Sequence, residues 1–161
     1  ADINAQLWLA EMRQGVDKLV EKENEPDSKH VFAVMQSLSD PVDQSGLLNA
    51  LRDRVTHLRE WQLFLHKHSV LLCPISGEPP FDQQEDVKSA ERFKEMMRSQ
   101  LTQLGIPALG LPGLAVATGS AAGKPMGVQL IARRFREDIL IAAGRDIEAA
   151  HPAIAPIDPR P

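Results

Sequence analysis

The sequence predicts an α/β fold whose sheet is incomplete. Three observations carry this. Helix-period apolar patterning covers most of the chain, short uninterrupted apolar runs lie between the helical stretches, and only about three such runs occur. Each run is patterned as if buried on both faces, which calls for more covering layers than these helices supply. The composition fits a folded chain: of 161 residues 43% are hydrophobic, which excludes a wholly disordered protein. No apolar run approaches the roughly 18–20 residues that span a bilayer. Lys and Arg number 18 against 22 Asp and Glu, and the resulting charge of −4 argues against nucleic acid or membrane as a partner. Cys73, the single cysteine, can form neither an internal disulfide nor a zinc cluster, which points to a reduced, cytoplasmic protein. No signal-peptide pattern opens the chain. It starts Ala1-Asp2, which reads as a processed start or as the middle of something longer.

The elements follow in order. Ile3, Leu7, Met12, Val16, Leu19 and Val20 share one face of a helix over 3–20. The charged run Glu21–Asp27 with Pro26 breaks it, and a short helix carrying Val31, Val34, Met35 and Leu38 runs to Asp40-Pro41. Leu48, Leu51, Val55, Leu58, Trp61 and Leu65 then mark one long amphipathic helix. Residues 69–74, ending Leu72-Cys73-Pro74, form a buried strand, and 75–82 a Gly/Pro loop. From about Gln84, the residues Val87, Ala90, Phe93, Met97, Leu101 and Leu104 set out another helix, with Gly105 placed as its C-terminal cap. Ala108–Pro112 and Met126–Ala132 read as two more buried strands joined by a Gly/Ala-rich connection. A last helix carries Ile139, Leu140, Ala143, Ile147 and Ala150, before an irregular proline-rich tail.

On residue chemistry alone no catalytic constellation stands out. Gly119–Lys124 lacks the four-residue gap and the Ser or Thr after Lys of a phosphate loop, so it reads as a small-residue turn. No G-x-S-x-G occurs. His66 and His68 are two apart on a helix, a spacing that suits dipole interaction at its C-terminus better than chelation. Arg133-Arg134-Phe135-Arg136, followed by Glu137 and Asp138, reads as a solvated loop and a helix start with favourable charge. Cys73 lies in an apolar run and reads as an inert packed thiol. Gln129 alternates with Val128 and Leu130, so its side chain is expected to hydrogen-bond buried backbone rather than substrate.

The order of the later motifs adds a resemblance. A strand ending Leu72-Cys73-Pro74 is followed by Pro79-Pro80-Phe81, then Gly105-Ile106-Pro107-Ala108 running to Pro112-Gly113, then Lys124-Pro125-Met126-Gly127-Val128-Gln129. Together they resemble the C-terminal portion of the amidase signature family. Residues 1–40 are a helical lead-in, 45–150 the best-matching region and 151–161 the tail of a single amidase-like domain. The fold implied is part of an amidase-signature mixed sheet with covering helices. The resemblance implies a parent enzyme that hydrolyses carboxamides through a serine acyl-enzyme, with a second serine and a lysine base, and with no metal or organic cofactor. The Gly/Ser-rich signature, its lysine and its nucleophile have no counterpart here, and Gly119-Ser120 is too short and falls too late to stand in. No catalytic residue is therefore carried over.

What the resemblance does carry over is substrate-binding wall. It maps to Arg98, Leu101 and Thr102 on the helix before Gly105-Ile106-Pro107, and to Ser76 and Gly77 after the first strand. Relatives often have Asn at the position of Thr102, and ordinary core packing is the alternative for Leu101. The partners implied are a small-molecule amide substrate of the parent enzyme, and either the N-terminal half or a homo-oligomer partner to cover the exposed sheet. The competing reading is a short, non-catalytic α/β binding module or partner subunit.

Overall fold

A computed structural model describes residues 2–151; the expected irregular tail lies almost wholly outside the described residues. Helix α1 (Asp2–Met12) and α2 (Val16–Glu23) replace the single helix expected over 3–20. The break falls at Arg13-Gln14-Gly15, where the Arg13 guanidinium donates to the carbonyls of Gln36 (3.0 Å) and Ser39 (2.6 Å). That fastens the break to the end of α3 (Pro26–Gln36). Asn24 closes α2 in the left-handed region (φ 54°), and Pro26 opens α3, where a missing N–H costs no intrahelical bond.

The long helix is α4 (Gln44–Lys67), whose first turn is capped by the Asp43 carboxylate accepting from Gly46 N–H at 2.7 Å. Its buried line differs from the expected one in the first half. Ala50 and Leu65 are buried, with Leu47, Arg54, Leu58 and Trp61 partly so, whereas Leu48 (58% exposed), Leu51 and Val55 (61%) face outward. Arg54 sets this rotation: its guanidinium donates to the Ala108 carbonyl and turns the line one residue earlier inward.

Strand β1 (Leu71–Pro74) leads into a loop and a 3₁₀ turn at Glu85–Val87. The single helix expected from Gln84 is two, α5 (Ala90–Ser99) and α6 (Leu101–Leu109), hinged at Gln100. Gly105 lies inside α6. The cap is Gly110, at φ 62°. Of residues 108–112, expected as a strand, Ala108 and Leu109 finish α6, Gly110 caps it, and Leu111-Pro112 lead on to the next strand. The supposed connection is β2 (Gly113–Ala121), which pairs with β3 (Lys124–Ile131). Between them Ala122 (φ 50°) and Gly123 (φ 76°) make a tight hairpin turn with positive φ at both central residues. Helix α7 (Glu137–Ala149) closes the fold.

The three strands form one antiparallel sheet in the order β1-β3-β2, with Leu71 opposite Ile131 and Leu130 opposite both Leu72 and Leu114. One face packs Ile131 against Leu65, Ile106, Leu109 and Leu111, from α4, α6 and the turn after it. The other packs Val116, Leu130 and Ala132 against Leu140 of α7. Burial of a side chain such as Leu130 or Leu140 contributes about 1.5–3 kcal/mol. Burial on both faces fails for β1, where Leu72 is 57% exposed.

Candidate functional site

Three of the candidate residues meet where the chain leaves β1 and crosses the α5–α6 hinge. The Ile75 carbonyl accepts from Thr102 Oγ1 at 2.8 Å and from Gln103 Nε2 at 2.9 Å. Gln100 Nε2 donates to Ser76 Oγ at 3.2 Å, and that oxygen also accepts from Glu78 N–H at 3.1 Å. Gly77 N–H donates to the Ser99 carbonyl at 2.8 Å. Beneath them Gln129 Nε2 reaches the Thr102 carbonyl at 3.3 Å, the backbone-supporting role its alternation predicts. The hinge leaves polar groups free of the helical ladder, and the loop occupies them.

Arg98 and Leu101 lie apart from this cluster. Arg98 lines a cavity of about 400 Å³ with Trp8, Met35 and Lys94. Leu101 borders that cavity and a second of about 490 Å³, which it lines with Thr102, Trp61, Leu71, Cys73 and Ile106. Ser76 borders a third space of about 520 Å³, between the loop and the small residues Ala115, Ala117 and Gly127. Ser76, Gly77 and Thr102 therefore join one hydrogen-bonded hinge, and the five candidates do not converge on one cavity.

Charge fixes the loop from outside. Arg92 of α5 pairs with Glu78 (2.7 Å), Glu85 (3.1 Å) and Glu95 (3.3 Å), and its guanidinium lies 5.7 Å from the centre of the Phe81 ring. Lys124, the first residue of β3, reaches the Pro80 carbonyl at 2.7 Å and Asp82 at 2.9 Å. The Arg92 hydrogen bond holds the Glu78 carboxyl below its ordinary range, the Lys124 ammonium does so for Asp82, and the Asp82 backbone N–H leads for Glu85. The sequence reading overlooked Arg92, Lys124, Gln100 and Gln103. A lone cation within a charged helix face carries no signal of a partner fourteen residues away.

The remaining motifs resolve as structure. Gly119–Lys124 is the β2–β3 hairpin. His66 lies in the last turn of α4 and His68 caps it. Arg134 corrects the solvated-loop reading: its guanidinium donates to the carbonyls of Leu109 (3.0 Å) and Gly110 (3.1 Å), a cation on the C-terminus of α6. Burial raises the pKa of Cys73, which keeps the thiol protonated. Among the described residues no His, Cys, Asp and Glu side chains group as a metal would require, and no helix is long and apolar enough to cross a membrane.

Comparison with known proteins gives consistent matches. The Amidase family profile matches residues 7–141. An indoleacetamide hydrolase of Bradyrhizobium japonicum is 36% identical over 123 residues, 76% of this chain and 26% of that protein. A glutamyl-tRNA(Gln) amidotransferase subunit of Levilactobacillus brevis is 30% identical over 112 residues, 70% of this chain and 22% of that protein. Among solved structures, Kluyveromyces lactis allophanate hydrolase (an S177A variant) superposes with a TM-score of 0.70 at 20% identity, over 89% of this chain and 23% of that one. A 6-aminohexanoate cyclic dimer hydrolase does so with 0.65 at 17% identity, over 90% of this chain and 33% of that one. The chain thus spans about a quarter of the length of the curated relatives it matches.

Proposed function

Because this chain belongs to the amidase family, we propose that it is the C-terminal portion of an amide hydrolase that converts carboxamides to carboxylate and ammonia. The observation that carries the reading is the family match over residues 7–141, running through every element from α1 into α7. In the proposed reaction a serine hydroxyl adds to the amide carbon and ammonia departs with a proton. Water then cleaves the acyl ester and releases the carboxylate. The nucleophile, the second serine and the lysine base belong to sequence outside this chain, so the chain alone is catalytically incompetent. It needs no metal or organic cofactor, and it works in the cytoplasm.

Residues 1–161 act as one part of a single domain in this reading. They supply core and the acyl-side wall of the substrate pocket through Ser76, Gly77, Arg98, Leu101 and Thr102. The hinge supports such a role physically. The hydrogen bonds from Thr102 and Gln103 to the Ile75 carbonyl tie the loop to α6, so the wall holds its shape as substrate enters.

A chimaera tests the proposal. Residues 7–141 replace the matching segment of the Bradyrhizobium japonicum indoleacetamide hydrolase, and ammonia release from indoleacetamide is followed. Turnover by the folded chimaera, with none from the 161-residue chain, is the expected result. A folded chimaera without turnover, or hydrolysis by the chain alone, refutes it.

A further inference from the structure

We propose that Arg92 and Lys124 are positioning residues of the parent amidase. Together they hold residues 78–85 as a strap over the cavity of about 520 Å³, and that cavity receives the apolar part of the acyl group. The inference rests on the amidase reading above. Its first support is how little else holds the strap. Gly77 N–H donates to the Ser99 carbonyl, but among the described residues no backbone hydrogen bond joins residues 78–84 to an α-helix or a strand. Side chains from two elements hold it instead. Arg92 of α5 takes both Glu78 oxygens, at 3.2 and 2.7 Å, reaches Glu85 at 3.1 Å and lies over the Phe81 ring. Lys124 of β3 donates to the Pro80 carbonyl and to Asp82. A single exposed ion pair contributes little. Arg92 differs: its side chain is 24% exposed, it grips Glu78 with two bonds, and it gathers both ends of the strap on one guanidinium.

The space beneath the strap suits an apolar group. Ala115 and Ala117 of β2 and Gly127 of β3 line it on the sheet side, and Pro79, Pro80 and Phe81 on the strap side. The apolar residues of the strap thus border a space they do not fill, whereas a loop that served packing alone would close onto the small residues opposite. The volume falls within the range of small-molecule sites. The polar groups around it are already engaged: Gln100 donates to Ser76 Oγ, Gln103 donates to the Ile75 carbonyl, and Glu78 accepts from Arg92. An aliphatic or aromatic acyl group therefore fits there better than the amide being cleaved. Ser76, on the proposed acyl-side wall, borders the same space, so a group lodged there continues from that wall. Releasing either anchor loosens the strap, and the binding lost is lost alike from ground state and transition state. The signature is a raised KM at nearly constant kcat.

The chimaera carrying residues 7–141 is the parent for the test, with indoleacetamide as substrate. Arg92→Gln and Lys124→Leu should each raise KM at least threefold with kcat within twofold, and should speed hydrogen exchange at the Glu78 and Asp82 amides. Arg92→Lys, which keeps the charge but loses the two-bond grip, should recover part of the affinity. Ala117→Phe, which fills the space and leaves both anchors in place, should raise KM at least tenfold without quickening that exchange. Where Arg92→Gln does not fold, Lys124→Leu and Ala117→Phe decide. Three outcomes overturn the proposal: faster strap exchange with KM unchanged, which makes the anchors structural only; a fall in kcat with KM unchanged; or a parental KM in folded Ala117→Phe. The amidase reading is judged separately, by turnover of the unsubstituted chimaera. If that protein is folded but inactive, the reading falls, and calorimetric titration with indoleacetamide tests the strap. Affinity weakened at least threefold by Lys124→Leu upholds the assignment; no binding, or binding indifferent to that change, overturns it.

Discussion

Replacing Gly127 by alanine offers a direct test of how the sheet meets the loop. Gly127 sits in β3 opposite Ala117, beside the bulge in β2. A Cβ built there falls 2.7 Å from the Val116 carbonyl oxygen and 2.9 Å from Ile75 Cδ1. The Ile75 methyl can rotate aside, but the Val116 oxygen is backbone and moves only with its strand. Such overpacking costs about 1–3 kcal/mol. Reduced freedom of the unfolded chain offsets about 0.4–1 kcal/mol of it. The net expectation is a loss of about 1–2 kcal/mol, read from urea midpoints at unchanged m-value. For a chain of this size each kcal/mol lowers Tm by about 2–4 °C. Gly105→Ala is the matched comparison, because no atom lies within 4 Å of its added Cβ inside α6. It should stabilise by about 0.5–1 kcal/mol through helix propensity. A Gly127→Ala protein as stable as the parent would refute the close approach of β2, β3 and Ile75.

Thr102→Val alone should cost less than about 1 kcal/mol, because Gln103 still donates to the Ile75 carbonyl. With Gln103→Leu added, the carbonyl loses both donors, and a double-mutant cycle should show coupling of about 1 kcal/mol between the two sites. Acid should loosen the loop. The lowered pKa values of Glu78, Asp82 and Glu85 give stability that is full above their unfolded values and lost as pH falls through the folded ones. Arg92→Gln should therefore flatten the fall in urea midpoint between about pH 6 and pH 3. Alkali acts on Cys73 with the opposite sense. Its raised pKa gives stability that is full below the ordinary thiol value and lost as pH climbs through the raised one. The rate at which a maleimide labels Cys73, followed against pH, should accordingly reach its midpoint above that of free cysteine.

Much of the fold was legible from pattern. The extents of α4, β1, β3 and α7, the loop after Pro74 and the 119–124 turn all follow from periodicity and from Gly and Pro. The reading failed where tertiary contacts overrode local cues. The run 108–112 read as a strand, but Pro107 just before it does not end the helix. The structure keeps Pro107 in α6, where burial of Ile106 and Leu109 offsets the lost N–H donor. Strand β2 escaped notice because one of its faces is Gly113, Ala115 and Ala117. Its other face alternates Leu114 and Val116 beneath α7, and that period of two was present in the sequence. On α4 the strongest apolar spacing, Leu48-Leu51-Val55, marks an exposed line, because a periodicity does not say which of two adjacent stripes finds a neighbour. The hinge beneath Ser76, Gly77 and Thr102 was out of reach. Its polar partners, Gln100 and Gln103, lie within a helical pattern and acquire a role only when the loop crosses over them.

The placement of Trp8 in α1 and Trp61 in α4 has a practical consequence. The chain has no tyrosine, so near-ultraviolet emission comes almost wholly from these two indoles. Both sit among the helices on one side of the sheet, Trp8 at the cavity beside α3 and Trp61 edge-on to Phe64. The α7 side has neither. Fluorescence will therefore report the opening of the α1–α4 layer and stay silent if α7 peels away from Leu130 and Val116. Far-ultraviolet dichroism registers both events. Where the two optical transitions separate along a denaturant series, the order in which the faces of the sheet are uncovered can be read without any label.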